Sequence, residues 1–152
     1  FLFIEANMKK IILLIAFISV CASPLVFADS YPSITFPEET FSVEGKLMNL
    51  ELSDNGGVIT VKGIAGKYGD VFLTYNMKTN PNHKTQGSFT GRGMGIDGTG
   101  NREFAVRAGI WSRDGTTLTL HSFDDLTDGV QNICKSVLNL STGEFKMTFH
   151  SM

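Results

Sequence analysis

Two arginines and the only tryptophan of the chain share one side of a strand-like segment, Phe104–Arg113. Arg107, Trp111 and Arg113 alternate there with mostly apolar residues, so an extended strand would place them on one face. A guanidinium offers a rigid fork of donors to a carboxylate, and an indole offers a flat apolar wall that attracts cations. Arg92, on the preceding strand of a hairpin, would fall level with the middle of this segment. The pattern predicts a site for a small apolar or anionic ligand, formed by Arg92, Arg107, Trp111 and Arg113.

The same pattern fits a second arrangement, in which this face lies on the outside of a sheet. The arginine stems would then cover Trp111, and their guanidinium groups would pair with Asp or Glu. The sequence leaves both arrangements open, because alternation shows which residues share a face and not which face is buried.

A histidine, His121, lies on the next strand-like segment and alternates there with threonines. A histidine beside a carboxylate can act as a general acid or base near neutral pH. Asp124 or Asp125, a few residues further on, would complete such a pair. His121 is therefore the candidate catalytic residue, and a hydrogen-bonded surface histidine is the alternative.

The acidic stretch from Asp124 to Gly129 is a candidate cation site. It contains Asp124, Asp125 and Asp128, and Ca²⁺ prefers several oxygen ligands. The spacing departs from that of an EF-hand, because Lys135 occupies the twelfth position, where a glutamate is required. The alternative is a solvated turn, and we predict no bound metal.

Motifs for cofactors and nucleophilic catalysis are absent from the sequence. The three histidines lack zinc-ligand spacing, and there is no nucleophile elbow, phosphate loop or dinucleotide fingerprint. Gly91–Gly95 is rich in glycine, but it opens no helix and so lacks the dipole that helps such loops bind phosphate. We predict no cofactor.

The elements that must position these residues are eight strand-like runs between residues 40 and 152. Asp97-Gly98 and Asp114-Gly115 are strong hairpin signals, because glycine tolerates the positive φ of a tight turn. No stretch shows a helical period. Consecutive strands with short connections favour an all-β, eight-stranded antiparallel up-and-down barrel, in which closure removes exposed edges. A small β-sandwich is the alternative.

Details of the strands add five expectations. A change of phase near Gly45 predicts a bulge in the first strand, and residues 79–85 and 124–129 are predicted to be loops. The last strand is predicted to point three apolar residues inward: Phe145, Met147 and Phe149. Four glycines share one face of a single strand, which would let the sheet coil tightly or let another layer approach: Gly87, Gly91, Gly93 and Gly95.

The N-terminal residues 1–28 have the pattern of a secretory signal peptide. A basic start at Met8-Lys9-Lys10 precedes an apolar run, and Val26-Phe27-Ala28 supplies the small residues of a cleavage site. We predict that residues 1–7 are a spurious extension, that cleavage follows Ala28, and that the protein is periplasmic or secreted. Residues 29–39 are predicted to form an extended leader before a single domain, residues 40–152.

Composition narrows the partners of that domain. The net charge of the chain is −2 and its lysines are scattered, which argues against nucleic-acid binding. The sequence has no basic amphipathic helix, so we expect no membrane contact after signal cleavage. Cys134 is the one cysteine that remains after cleavage, in an apolar run. It is predicted to be a buried thiol, with an intermolecular disulfide as the alternative. The sequence does not specify the oligomeric state.

An exported meander of eight strands punctuated by glycine resembles the calycin group, which includes lipocalins, avidins and allene-oxide-cyclase-type barrels. The resemblance covers the residues after the signal peptide, rests on strand number and spacing, and implies fold alone. An eight-stranded outer-membrane barrel is the structural rival, although charges such as Glu44 and Lys46 interrupt the apolar band that it needs.

Three functions fit these features. The first is a binding protein for a small apolar or anionic ligand, held inside the barrel or at its mouth. The second is an enzyme of cyclase, isomerase or hydrolase type that uses His121. The third is a protein-interaction or inhibitor module of the cell envelope, which predicts a filled interior and an exposed apolar patch.

Overall fold

The computed structural model describes Glu38, Glu39 and Phe41–Met152. The predicted signal peptide, the extension before Met8 and most of the predicted leader lie outside the described residues. Within the described part of the chain, no helix is long and apolar enough to cross a membrane.

Eight antiparallel strands form a closed barrel, in which each strand pairs with its neighbours in sequence and the first pairs with the last. The predicted all-β, up-and-down barrel is confirmed, and its architecture is consistent with the calycin resemblance. The strands are β1 (Phe41–Ser53), β2 (Gly56–Ile64), β3 (Asp70–Asn80), β4 (His83–Ile96), β5 (Arg102–Asp114), β6 (Thr117–Leu126), β7 (Gln131–Asn139) and β8 (Glu144–Ser151).

Alternate residues of the strands fill the barrel interior, as the period of two requires. β8 points Phe145, Met147 and Phe149 inward, which confirms the prediction for the last strand. Phe149 stacks on Phe41 of β1, with ring centroids 4.2 Å apart, so an aromatic pair joins the two strands that close the barrel. Burying each such side chain stabilises the fold by roughly 1.5–3 kcal/mol.

A short 3-10 turn, Gly66–Tyr68, covers one end of the barrel between β2 and β3. Tyr68 is buried, and its hydroxyl donates to the carboxylate of Asp128, 2.9 Å away. A Cβ placed on Gly95 of β4 would lie 2.9 Å from the Cβ of Tyr68. The absent side chain therefore lets the tyrosine approach the strand, one of the two effects predicted for the glycine face.

Three local predictions were wrong. Residues 79–85 are not a loop, because β3 runs to Asn80 and β4 begins at His83. Residues 124–129 are not all loop either, because β6 continues to Leu126. The bulge in β1 lies between Leu47 and Asn49 rather than at Gly45. In each case polar or glycine residues that suggested a break are accommodated within a strand. Exposed ones such as Asp125 point outward to solvent, whereas the buried Asp124 points inward and is paired with Arg107.

Candidate functional site

The polarity of the two faces of β5 is the reverse of the usual one, because a charged residue is buried and aliphatic residues are exposed. Arg107 and Trp111 are 1% and 8% exposed and point into the barrel. The apolar residues that alternate with them along the strand point outward, and Val106 and Ile110 are 53% and 63% exposed. The strand thus buries its arginine and exposes its aliphatic residues, which settles the choice that the sequence left open for the face of Arg107 and Trp111.

The buried arginine is paired with Asp124 of β6. Arg107 Nε donates to Asp124 Oδ2 at 2.7 Å, and both side chains are almost wholly buried. The second carboxylate oxygen of Asp124 accepts from Ser122 Oγ at 2.7 Å. Arg107 lies opposite Asp124 in the β5–β6 register, so the ion pair is a cross-strand pair inside the barrel.

Further contacts hold the guanidinium in place. Its carbon lies 4.5 Å from the centroid of the Tyr75 ring, and Arg107 Nη2 donates to Met147 Sδ at 3.4 Å. The Tyr75 hydroxyl shares a 3.1 Å hydrogen bond with Ser136 Oγ. Side chains from β3, β5, β6, β7 and β8 therefore meet in one polar cluster across the barrel, which we call the interior polar cluster.

Burial has different effects on the titratable members and neighbours of this cluster. It disfavours the charge of Arg107, but Tyr75 and Asp124 more than offset that effect and leave the pKa of Arg107 raised. Burial raises the pKa of Tyr75. It also raises the pKa of the Cys134 thiol, which is buried as predicted, with the charge of Asp124 adding to the effect. The cluster is thus built around one ion pair, Arg107 with Asp124, and burial keeps the neighbouring phenol and thiol in their neutral forms.

Two buried donors of this region have no hydrogen-bond partner among the residues that the structure describes: Arg107 Nη1 and Asn132 Nδ2. Asn132 lies opposite Asp124 in the β6–β7 register, on the side away from Arg107. A cavity of about 40 Å³ lies nearby, lined by the carboxylate residues Asp124 and Glu103, by mostly apolar side chains and by Tyr68 from the turn that covers the barrel end. Its volume admits molecules of the size of water, and typical ligand pockets are of order 300–1,000 Å³.

The other predicted ligand residues do not join this cluster. Trp111 shares the interior face, but its Nε1 already donates to the carbonyls of Lys78 and Ser88, each 3.2 Å away. Arg92 lies level with residue 106, as predicted, and points outward. Arg113 is exposed near the β5–β6 turn and donates to the Gly115 carbonyl at 2.9 Å.

The predicted acid–base pair is not assembled in this structure. His121 is exposed on the outer face of β6, whereas Asp124 points inward. Asp125 points outward, where it accepts from Gln131 Nε2 at 3.2 Å. The side chain of His121 makes no hydrogen bond or ion pair with any residue that the structure describes.

The three acidic residues considered for a cation face three different surroundings. Asp124 is in the interior, Asp125 is on the outer wall, and Asp128 lies in the loop after β6. Asp128 accepts from Lys67 Nζ at 3.1 Å as well as from Tyr68, and its pKa is lowered. Across Phe41–Met152, no three His, Cys, Asp or Glu residues form a group that could hold a metal.

The interior polar cluster was missed by sequence reasoning, although a signal for it exists. The β5–β6 turn pairs Asp114 with Thr117, and counting back along both strands places Arg107 opposite Asp124. The predicted loop at residues 124–129 ended β6 before Asp124 and so hid this pairing. Tyr75, Ser136 and Met147 come from other strands, and no local pattern links them to Arg107.

The outer wall carries a group of exposed apolar side chains on two neighbouring strands. We call it the outer apolar face, and it consists of Phe104, Val106 and Ile110 of β5 with Phe123 of β6. Their exposed fractions lie between 47% and 63%. Next to them an open groove of about 730 Å³ is lined by Phe72, Met94, Phe104 and Val106, with Arg92 and Asp125 also along it.

Comparison of the chain with protein-family models, with curated proteins and with solved structures gave no match.

Proposed function

We propose that this protein is an interaction module, which binds another protein through the outer apolar face. One observation carries the proposal: four large apolar side chains are exposed side by side on a barrel whose interior is filled. Scattered apolar residues are ordinary on protein surfaces, but a contiguous patch of this kind is typical of an interaction site.

The geometry of β5 supports this function. The inward face of the strand already contributes Arg107 and Trp111 to a packed interior, so the outward Phe104, Val106 and Ile110 are not needed to fill the core. Keeping them in water forgoes roughly 25 cal/mol for each Å² of apolar surface that a partner would bury. A partner that covers this face would recover that free energy.

Site-specific photo-crosslinking tests the proposal. A photoreactive amino acid is placed at Ala108, which is exposed at the centre of the outer apolar face, and in a separate variant at Glu44. Glu44 is the matched control, since it is exposed on β1, diametrically opposite β5 in the order of the barrel. We expect a specific protein adduct from position 108 and none from position 44, in protein produced in its own host. Equal labelling from both positions, or none from position 108, would refute the proposal.

The binding of a small ligand inside the barrel is the second candidate function, and one observation favours it. Among the described residues, Arg107 Nη1 is a buried donor without a hydrogen-bond partner, and a buried donor of this kind is usually satisfied by water or by a bound group. The nearest cavity is lined by Asp124, the ion-pair partner of Arg107, and its volume restricts the ligand to a few atoms. Native mass spectrometry of gently purified protein tests this candidate. A non-covalent mass that is lost in Arg107→Met would support it, and the bare mass of the chain would count against it.

A further inference from the structure

We infer that the partner of the outer apolar face is a second copy of this chain, related to the first by a two-fold axis that runs along β5. The inference rests on the proposed function, because it uses the same face. Two-fold contacts require a self-complementary surface, in which each residue meets its counterpart or a residue of opposite character.

The charges beside β5 have this self-complementarity. Val106 is paired with Arg92 on β4 at one side and with Asp125 on β6 at the other. All three are exposed on the outer wall, so a cation and an anion lie at equal distances from the central strand. Rotation by 180° about an axis along β5 exchanges the β4 side with the β6 side. It leaves the position of each residue along the strand direction unchanged. Arg92 of each copy then faces Asp125 of the other, and the contact forms twice.

The row of Ala108 is compatible with the same axis. Ala108 lies between Thr90 and Phe123, so each Phe123 would meet a threonine across the dip left by the small alanine. A two-fold axis perpendicular to β5 that crosses the wall at Val106 would instead place Arg92 against Arg92. Like charges in contact are unfavourable, so for a dimer centred on Val106 the charge pattern favours the axis along the strand.

The size of the face predicts a weak dimer. Phe104 to Ile110 spans six residue steps, or roughly 20 Å at the rise of a strand, and the flanking strands add roughly 5 Å on each side. Such a footprint covers roughly 200–300 Å² on each partner, well below the roughly 800 Å² of a standard specific interface, so the dimer is expected to be weak and transient. We expect a dissociation constant on the order of 100 µM.

Charge reversal with recombination of the variants tests this inference. Arg92→Asp and Asp125→Arg are made separately, and their association is measured by sedimentation velocity from roughly 10 µM to 1 mM protein. Each variant alone would form two like-charge contacts, so we expect its dissociation constant to rise at least tenfold. In an equimolar mixture, the new carboxylate of one variant faces the new guanidinium of the other, and the retained Arg92 faces the retained Asp125. We therefore expect the mixture to dimerise again, with an affinity near that of the unmodified protein.

The controls separate folding, location and function. Glu44→Lys on the opposite wall should leave dimerisation unchanged, and the Trp111 fluorescence of every variant should match that of the unmodified protein. An unmodified protein that is monomeric at every concentration would overturn the inference, as would single variants that dimerise normally or a mixture that stays monomeric. If position 108 then crosslinks a different protein, the proposed function stands and only the identity of the partner is wrong. If position 108 crosslinks nothing, both fail.

Discussion

Arg107→Met and Asp124→Leu, made singly and together, separate the contribution of the buried ion pair from that of each charge. The structure provides a direct basis for the comparison, because the pair is 2.7 Å long and neither side chain reaches solvent. Each single variant leaves one ionised group in the interior without its counter-charge. The double variant removes both charges and fills the space with apolar atoms.

The expected magnitudes follow from the contacts. A buried charge that has lost its partner destabilises a fold by roughly 3–5 kcal/mol. Arg107→Met also removes the contact with the Tyr75 ring, and Asp124→Leu leaves the Ser122 hydroxyl without its acceptor. The double variant has only these secondary losses, about 1–3 kcal/mol. We therefore expect the double variant to be more stable than either single variant, with a coupling energy of at least about 3 kcal/mol.

Urea unfolding followed by the fluorescence of Trp111 measures these differences. With a slope of about 2 kcal/mol per molar urea, each single variant should lower the midpoint by roughly 1.5–2.5 M. Arg102→Met is the matched control, since Arg102 is exposed at the start of β5 and lies outside the interior polar cluster; its effect should stay within about 0.5 kcal/mol. Additive losses in the double variant, or single variants as stable as the unmodified protein, would show that the pair is not coupled in the way described.

Two other predictions concern the thiol and the cover of the barrel end. Burial raises the pKa of the Cys134 thiol, so its stabilising effect is complete below the unfolded pKa of about 8.5 and is lost as the pH rises above that value. Between pH 8 and 10, the free energy of unfolding should fall more steeply for the unmodified protein than for Cys134→Ala, and parallel curves would contradict this account. Gly95→Ala would bring a methyl group within 2.9 Å of Tyr68 and should lower the free energy of unfolding by roughly 1–3 kcal/mol. Gly98→Ala, where a Cβ meets nothing within 4 Å, should cost less, and equal losses would mean that Tyr68 can move at little cost.

The strand order was predictable because its signals are local. Alternation identified the strands, and short polar turns between them required antiparallel neighbours. Errors arose where polar residues continue a strand, as at Asp124, whose inward position depends on an arginine seventeen residues earlier in the chain. A single segment gives no information about such a partner until the register of two strands is known.

The orientation of β5 shows a second limit of sequence reasoning. Its own residues fit either orientation, and neighbouring strands decide between them. Trp111 pairs with Leu120, which lies on the apolar inward face of β6, so the register brings Trp111 and Arg107 inside. Alternation therefore placed Trp111 and Arg107 on one face of β5, as the structure has them. Arg92 of β4 is paired with the outward-pointing Val106, so its side chain points to the opposite side of the wall.

The order of the strands around the barrel also has a consequence for folding kinetics. Seven of the eight strand pairings join neighbours along the chain, and each can form as a hairpin at a small loop-closure cost. The pairing of β1 with β8 joins Phe41 to Phe149 and closes a loop of more than a hundred residues, at an entropic cost of roughly 4 kcal/mol. We therefore expect closure to limit the folding rate, because an open sheet with two unpaired edges must precede it. The stacked Phe41 and Phe149 rings lie where β1 meets β8, so their contact stabilises the pairing that we expect to form last.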